Sequence, residues 1–499
     1  MPLRTQEIIA TAVEARDTLA GSDVLKIPFI EQNTDSSVLL DVEGKFDRGG
    51  GSDLAGTYSG AIAEWYVDEL FELRRTTAAS LARLLDPSVA ADELLEAACS
   101  VRDRQWGGVV SFSPKVFIDL TRLCRDRCAY CTFIRDPLSP MPSSPRNEDS
   151  PLASELPVRD RWERPEPYLL HEEVLAIATV GRKAGCTEAL FTLGDRPEEK
   201  YPAARKFLQR MGYDSTAHYL YDCARLVIEE TGLLPHVNPG VMTRLDLRSY
   251  KEVAASCGMM LESTSYALFA DPRGCHFECP DKYPPVRVAT IQAAEVEKVP
   301  FTTGILIGIG ESLQARADTL LVLASLAVSG LHIQEVIVQN FRAKPSIPMS
   351  TCPEPTDQEL ARTVALARLL LPPSVAVQAP PNLSPGNYAS LLGAGVCDWG
   401  GISPVTLDHV NPEAAWPEIS AVKRATEERG FELRARLCVY PSFVRSNGWI
   451  SERVKPYVDA LADSEGWASV FGPLAAELGC APIVAVRDAS IDRMSDRRE

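Results

Sequence analysis

The sequence predicts an α/β fold, a closed (β/α)8 TIM-like barrel preceded by a helical extension. Eight short apolar runs recur between Val116 and Ile402, each followed by a loop and then a segment of helical spacing. That alternation is the mark of parallel strands joined by crossover helices. The 499 residues, 45% hydrophobic and 24% charged, cover the roughly 250 residues such a barrel takes, with material left for extensions. A doubly wound open sheet is the alternative. In either fold the functional residues lie just past the C-terminal ends of strands.

Residues 1–108 read as the helical N-terminal extension. Segments 5–20 and 61–85 have apolar residues at helical spacing (Ile62, Trp65, Tyr66, Leu70, Leu73), separated by a Gly- and Asp-rich stretch over 47–60. A further helix over 88–104 carries Asp92, Glu93 and Glu96 near its start, where the helix dipole favours negative charge. Residues 109–420 form the barrel. Its expected strands are Val116–Thr121, Ala189–Leu193, Leu234–Val237, Gly258–Leu261, Phe301–Ile307, Glu335–Val338, Val375–Gln378 and Trp399–Ile402. Residues 136–167 hold eight prolines among Ser, Asp, Glu and Arg and read as an insertion looping over the surface. Residues 421–499 are a C-terminal tail.

A net charge of −17, from 51 basic and 68 acidic residues, argues against nucleic acid or an anionic membrane as the main partner. The best apolar run, Leu320–Val328, is about half the roughly 20 residues a bilayer requires. Glu7, Glu14 and Asp17 near the start do not suit a secretory or transit signal, so a cytoplasmic protein is expected. Thirteen cysteines in such a chain point to metal or redox chemistry rather than to a disulfide scaffold.

The strongest chemical signal follows the first strand: Cys124-Arg-Asp-Arg-Cys128-Ala-Tyr-Cys131. Three thiols on one loop supply three ligands, and a structural zinc wants four. A four-iron cluster held by three cysteines leaves one iron open to a reacting ligand. Tyr130 can pack beside such a group, while Arg125 and Arg127 would favour thiolates. Zinc closed by another cysteine, Cys275 or Cys279, is the alternative. Later strand ends offer groups for a nucleoside cofactor: Gly194 and Asp195, then Glu262 and Ser263, then Gly308, Gly310 and Glu311. Glycines there allow backbone approach, and the carboxylates and hydroxyl suit ribose oxygens. His236, Asn238, Gln339, Asn340, Asn382 and Asp398 follow or flank other strands and can bind a polar heterocycle and its side chain. His409 and Asn411 are weaker candidates. No side chain is singled out as a general base.

The triplet C-x3-C-x2-C resembles the signature of the radical S-adenosylmethionine (SAM) superfamily. The runs FIDLTRLCRDRCAYCTF, EALFTLGDRPE, TGLLPHVNPGVM, PFTTGILIGIGE, HIQEVIVQNFRAK and DWGGISPVTLDHVNPE are similar to the CofG half of FO synthases, over roughly residues 90 to 465. FO is the deazaflavin 7,8-didemethyl-8-hydroxy-5-deazariboflavin. The resemblance implies a radical SAM barrel with a 4Fe-4S cluster on Cys124, Cys128 and Cys131. It implies reductive cleavage of SAM to methionine and a 5′-deoxyadenosyl radical. That radical takes hydrogen from an adduct of a hydroxybenzyl group with a ribityl-diaminouracil, and ring closure with loss of ammonia makes the reaction a lyase step. A reducing electron donor is implied as well. Because the chain shows no second cysteine triplet, the resemblance leads us to expect a separate CofH-like enzyme that supplies the adduct. The alternatives are a sister enzyme of the CofH or menaquinone (futalosine) type and a non-catalytic zinc protein.

Overall fold

A computed structural model describes residues 5–26, 61–134, 166–406, 408, 411 and 414–469. The expected insertion therefore lies almost wholly outside the described residues, as does His409.

Among the described residues the α-helices α1 (Thr5–Leu19), α2 (Ala61–Leu85) and α3 (Asp92–Trp106) come first. The barrel opens with β1 (Val109–Thr121), α4 (His171–Lys183) and β2 (Glu188–Leu193), followed by α5 (Pro197–Lys200), α6 (Pro202–Met211) and α7 (Thr216–Thr231). Then come β3 (Leu234–Asn238), α8 (Arg244–Tyr250), β4 (Ser256–Gly258), α9 (Ala267–Ala270) and α10 (Pro284–Glu297). The second half is β5 (Phe301–Ile307), α11 (Leu313–Gly330), β6 (Ile333–Asn340), α12 (Asp357–Leu370), β7 (Ala376–Gln378) and β8 (Asp398–Ile402). Beyond it lie α13 (Ile419–Glu427), β9 (Glu432–Ala435), α14 (Pro441–Val444) and α15 (Lys455–Leu461).

The eight strands β1 to β8 pair in parallel in chain order, and β1 pairs with both β2 and β8, so the barrel is closed. Val116 faces Ala189 in the first ladder and Ile305 faces Val338 in the fifth. The strand expected at Gly258–Leu261 forms earlier, at Ser256–Gly258; from there the chain runs irregularly until Glu262 bridges to Ile305. β1 begins seven residues before its expected start because β9 pairs with its first half, Val109 against Glu432.

Local chemistry sets the helix starts. Thr356 accepts from the Glu359 amide (3.2 Å) while the Glu359 carboxylate accepts from Thr356 N (2.9 Å), a reciprocal cap on α12. Ser312 caps α11 by accepting from Ala315 N (3.1 Å). The expected apolar run Leu320–Val328 lies in α11, where a continuous stretch from Ala315 to Ala327 is buried. An all-round apolar helix needs cover on its outer side, and α1 and α2 pack there. Arg74 of α2 donates to both oxygens of Asp318 on α11 (2.6 and 2.7 Å) and to the Val24 carbonyl (2.7 Å), so the first helices are fixed to the barrel wall.

Candidate functional site

The cysteine loop hangs from the C-terminal end of β1 and is held on several sides. Ala129 N donates to the Cys275 carbonyl (2.9 Å), Met349 N to the Ala129 carbonyl (3.3 Å), and Arg127 N to Cys279 Sγ (3.3 Å). The loop after β2 clasps it: Asp195 N donates to Cys124 Sγ (3.1 Å) and Arg125 N to the Asp195 carbonyl (3.0 Å). At Gly194 a Cβ would stand 2.0 Å from the Leu123 carbonyl oxygen and 2.5 Å from Cys124 Cβ. Only glycine fits there. Gly194→Ala is expected to push the cysteine loop outward and, in the reaction proposed below, to lower turnover by about 100-fold, the cost a 1 Å displacement at a reacting centre can carry. A thermal melt should stay cooperative, and unchanged turnover by the variant would show that the clasp does not position the loop.

Burial pushes the Cys124 and Cys131 thiols upward, and hydrogen bonding to Cys279 together with burial does the same for Cys128. The expected help from Arg125 is not there. Its guanidinium is bonded to Asp281 and Glu199 instead. A metal group bound by these thiols must therefore displace their protons. Asp126, Asp195 and Asp281 bring carboxylate oxygens within 4.8 Å of one another, the single such trio of ligand groups among the described residues. Burial, reinforced by Asp281, pushes Asp195 up to about 7, and its Oδ1 is buried with no hydrogen-bond partner.

The cysteines open onto a cavity of about 330 Å³ running down the barrel axis. Of the expected cofactor residues, Tyr130, Gly194, Asp195 and Glu262 line it. The Tyr130 hydroxyl bonds to His276 Nε2 (2.9 Å). Glu262 has a left-handed backbone (φ 67°), a strained conformation for a side chain of this size. Burial acts to raise its pKa, but Lys282 (2.7 Å away) and Arg287 hold the carboxyl below its ordinary value. Ser263, Gly308, Gly310 and Glu311 are not among the lining residues. Ser263 Oγ accepts from Ser265 N (3.1 Å). Glu311 folds back to accept from Gly308 N and Ile309 N (2.9 Å each) and pairs with Arg316 (2.8 Å), bracing its own loop.

His236, Asn238, Gln339, Asn340, Asn382 and Asn411 all face the cavity. Asn382 donates to Asp408 (3.1 Å) and keeps a buried, unpartnered Oδ1. Asp398 is not a lining residue: it lies below, where Arg436 donates to both its oxygens (2.6 and 3.0 Å).

Sequence reasoning missed the charged residues of the cavity floor, Lys115, Glu188, Glu335 and Arg436. The signal for the first three was a charge inside or beside an apolar strand run; Arg436, beyond the eighth strand, gave none. Lys115 pairs with Glu188 (2.8 Å) and Arg436 with Glu335 (2.8 Å). Burial pushes His236, also on the floor, down to about 4, so the folded protein binds fewer protons there than the unfolded chain between pH 6.5 and 4. Stability is present above that window and is lost as pH falls through it, by about 3 kcal/mol. Urea unfolding at pH 7 and pH 4 should show a smaller loss for His236→Gln than for wild type. Equal losses would refute the assignment.

No protein-family model matches the chain. It is 48% identical, over 72% of its length, to the 7,8-didemethyl-8-hydroxy-5-deazariboflavin synthase of Methanopyrus kandleri, whose whole length it covers. The chain belongs to the 7,8-didemethyl-8-hydroxy-5-deazariboflavin synthase family. It is also 46% identical, over 75% of its length, to the FO synthase of Streptomyces coelicolor, and 46% identical over 71% to that of Mycobacterium tuberculosis. It spans 42% and 39% of the lengths of those two proteins. Among solved structures, methylornithine synthase (PylB) superposes with a TM-score of 0.51 at 18% identity, covering 71% of this chain and 93% of that one. The FeFe-hydrogenase maturase HydG from Carboxydothermus hydrogenoformans gives 0.53 at 16%, covering 88% and 86%. These two share the barrel fold. No helix among the described residues is long and apolar enough to cross a membrane.

Proposed function

We propose that this chain is a cytosolic radical SAM lyase that forms the deazaflavin FO from the hydroxybenzyl–ribityl-diaminouracil adduct, releasing ammonia, methionine and 5′-deoxyadenosine. The observation that carries the proposal is the cavity itself. It joins three cysteines at one end to a wall of amides, in a chain of this family.

The donor set suits the implied groups. Cys124, Cys128 and Cys131 would hold a 4Fe-4S cluster, three thiolates leaving one iron open. The glycine at 194, the orphaned Asp195 oxygen and Glu262 would contact SAM beside it. Bound together, cluster and SAM supply the radical that starts the reaction. The chain's own residues do the rest. Gln339, Asn340 and Asn382 offer donors and acceptors to both edges of the uracil imide. Phe117 and Trp416, stacked at 5.4 Å, give an aromatic wall that excludes water and competing hydrogen donors. A CofH-like radical enzyme supplying the adduct and a reducing electron donor complete the system.

The test is an anaerobic assay of the reconstituted protein with SAM, reductant and the authentic adduct, read by deazaflavin fluorescence. Deoxyadenosine without deazaflavin would leave a radical enzyme but refute this substrate. Metal analysis finding zinc without iron and sulfide would refute radical chemistry.

A further inference from the structure

The floor of the cavity departs from ordinary barrel construction. A (β/α)8 barrel normally fills its interior with layers of branched apolar side chains. Here Lys115, Glu188, His236, Glu335, Gln378 and Arg436 converge from five strands and the segment after β9, all lining the lower cavity. Buried ion pairs are a poor device for stability, because desolvation offsets most of their attraction. Something other than stability accounts for so many of them in one place.

The chain makes room for these groups by withholding side chains. A Cβ at Gly401 would stand 1.9 Å from Lys115 Cε, one at Gly400 would stand 1.7 Å from Gln378 Nε2, and one at Gly258 2.7 Å from His236 Nε2. Hydrogen bonding also fixes what each group offers. The Ser256 hydroxyl donates to the Cys438 carbonyl (2.8 Å), so it accepts from His236 Nδ1 (2.7 Å). Neutral His236 therefore presents Nε2 as an acceptor. Glu188 and Glu335 are acceptors, and Lys115 and Arg436 are donors. Alternating donors and acceptors in a buried pocket match a run of vicinal hydroxyls, each of which donates once and accepts twice.

Position supports the same reading. Lys115 lies six residues before the end of β1, roughly 20 Å along the strand from the cysteine loop at 3.3 Å per residue. A substrate reacting beside the cysteines reaches this floor with its far end. Resting on the function proposed above, the geometry points to the floor as the subsite for the polyhydroxylated ribityl chain, with the Lys115–Glu188 pair as its specificity-determining contact.

The test is anaerobic calorimetric binding without reductant, using two probes: the ribityl adduct and a counterpart in which a methyl group replaces the ribityl chain. Wild type should bind the ribityl probe about 100-fold more tightly, the worth of two charge-assisted hydrogen bonds. Lys115→Met/Glu188→Gln should bring the ratio within about threefold. Gly401→Ala, which displaces the Lys115 side chain without removing its charge, should lower it too and serves if the double variant does not fold. A wild-type preference that both variants keep would overturn the subsite and leave the proposed function standing. Wild type that binds both probes alike would overturn the subsite as well. Failure to bind either probe would overturn both readings.

Discussion

In the proposed reaction, Cys128→Ala should retain little iron on anaerobic reconstitution and cleave SAM about 1,000-fold more slowly, equivalent to about 4 kcal/mol of barrier. Cys128 is buried and its thiol is hydrogen-bonded to Cys279, and alanine at this position offers no ligand atom in its place. Cys279 provides the control. On a zinc reading it is the candidate fourth ligand hydrogen-bonded to Cys128, and Cys279→Ala would lose metal as readily as Cys128→Ala. On the cluster reading it is a backing residue whose sulfur accepts from Arg127 N, and its replacement should leave iron content and cleavage within about threefold of wild type. Iron and sulfide analysis of the two variants separates these cases. Equal loss in both would favour zinc.

The parts of the fold legible in the sequence were those decided locally. β5, Phe301 to Ile307, is a largely apolar run bounded by Pro300 and a glycine at positive φ, Gly308, and its limits follow from those residues alone. β4 was displaced because Met259 to Leu261 are as apolar as a strand. Periodicity does not separate a strand from an apolar stretch that only packs. The early start of β1 depends on β9, more than 300 residues away, and no local pattern encodes it. The site divides in the same way. The cysteine loop and Gly194 were visible as motifs. Glu311 read as a cofactor contact, yet its carboxylate meets two amides of its own turn, a short-range alternative that competes with any ligand. Arg436 meets Glu335 across 101 positions of sequence and only the closed barrel brings them together.

Arg436→Leu should be the most destabilising single change among the floor residues. Arg436 is the one cation bonded to both Asp398 and Glu335 among the described contacts, and all three side chains are buried. Removing it leaves two carboxylates uncompensated, which costs about 3–5 kcal/mol and lowers the thermal midpoint by roughly 5–10 °C. The pH dependence identifies the cause. Burial already pushes the Glu335 carboxyl up while Arg436 holds it down, so without the arginine its pKa rises further. The folded variant then binds more protons than the unfolded chain above the ordinary carboxylate range, and its deficit relative to wild type shrinks as pH falls toward that range. Arg436→Leu/Glu335→Gln/Asp398→Asn, which removes both charges with the cation, should recover most of the loss at pH 7. A deficit that is independent of pH and persists in the triple variant would mean that Arg436 acts through packing, by its stem and its 4.3 Å contact with the Tyr440 ring, and not through the charges it neutralises.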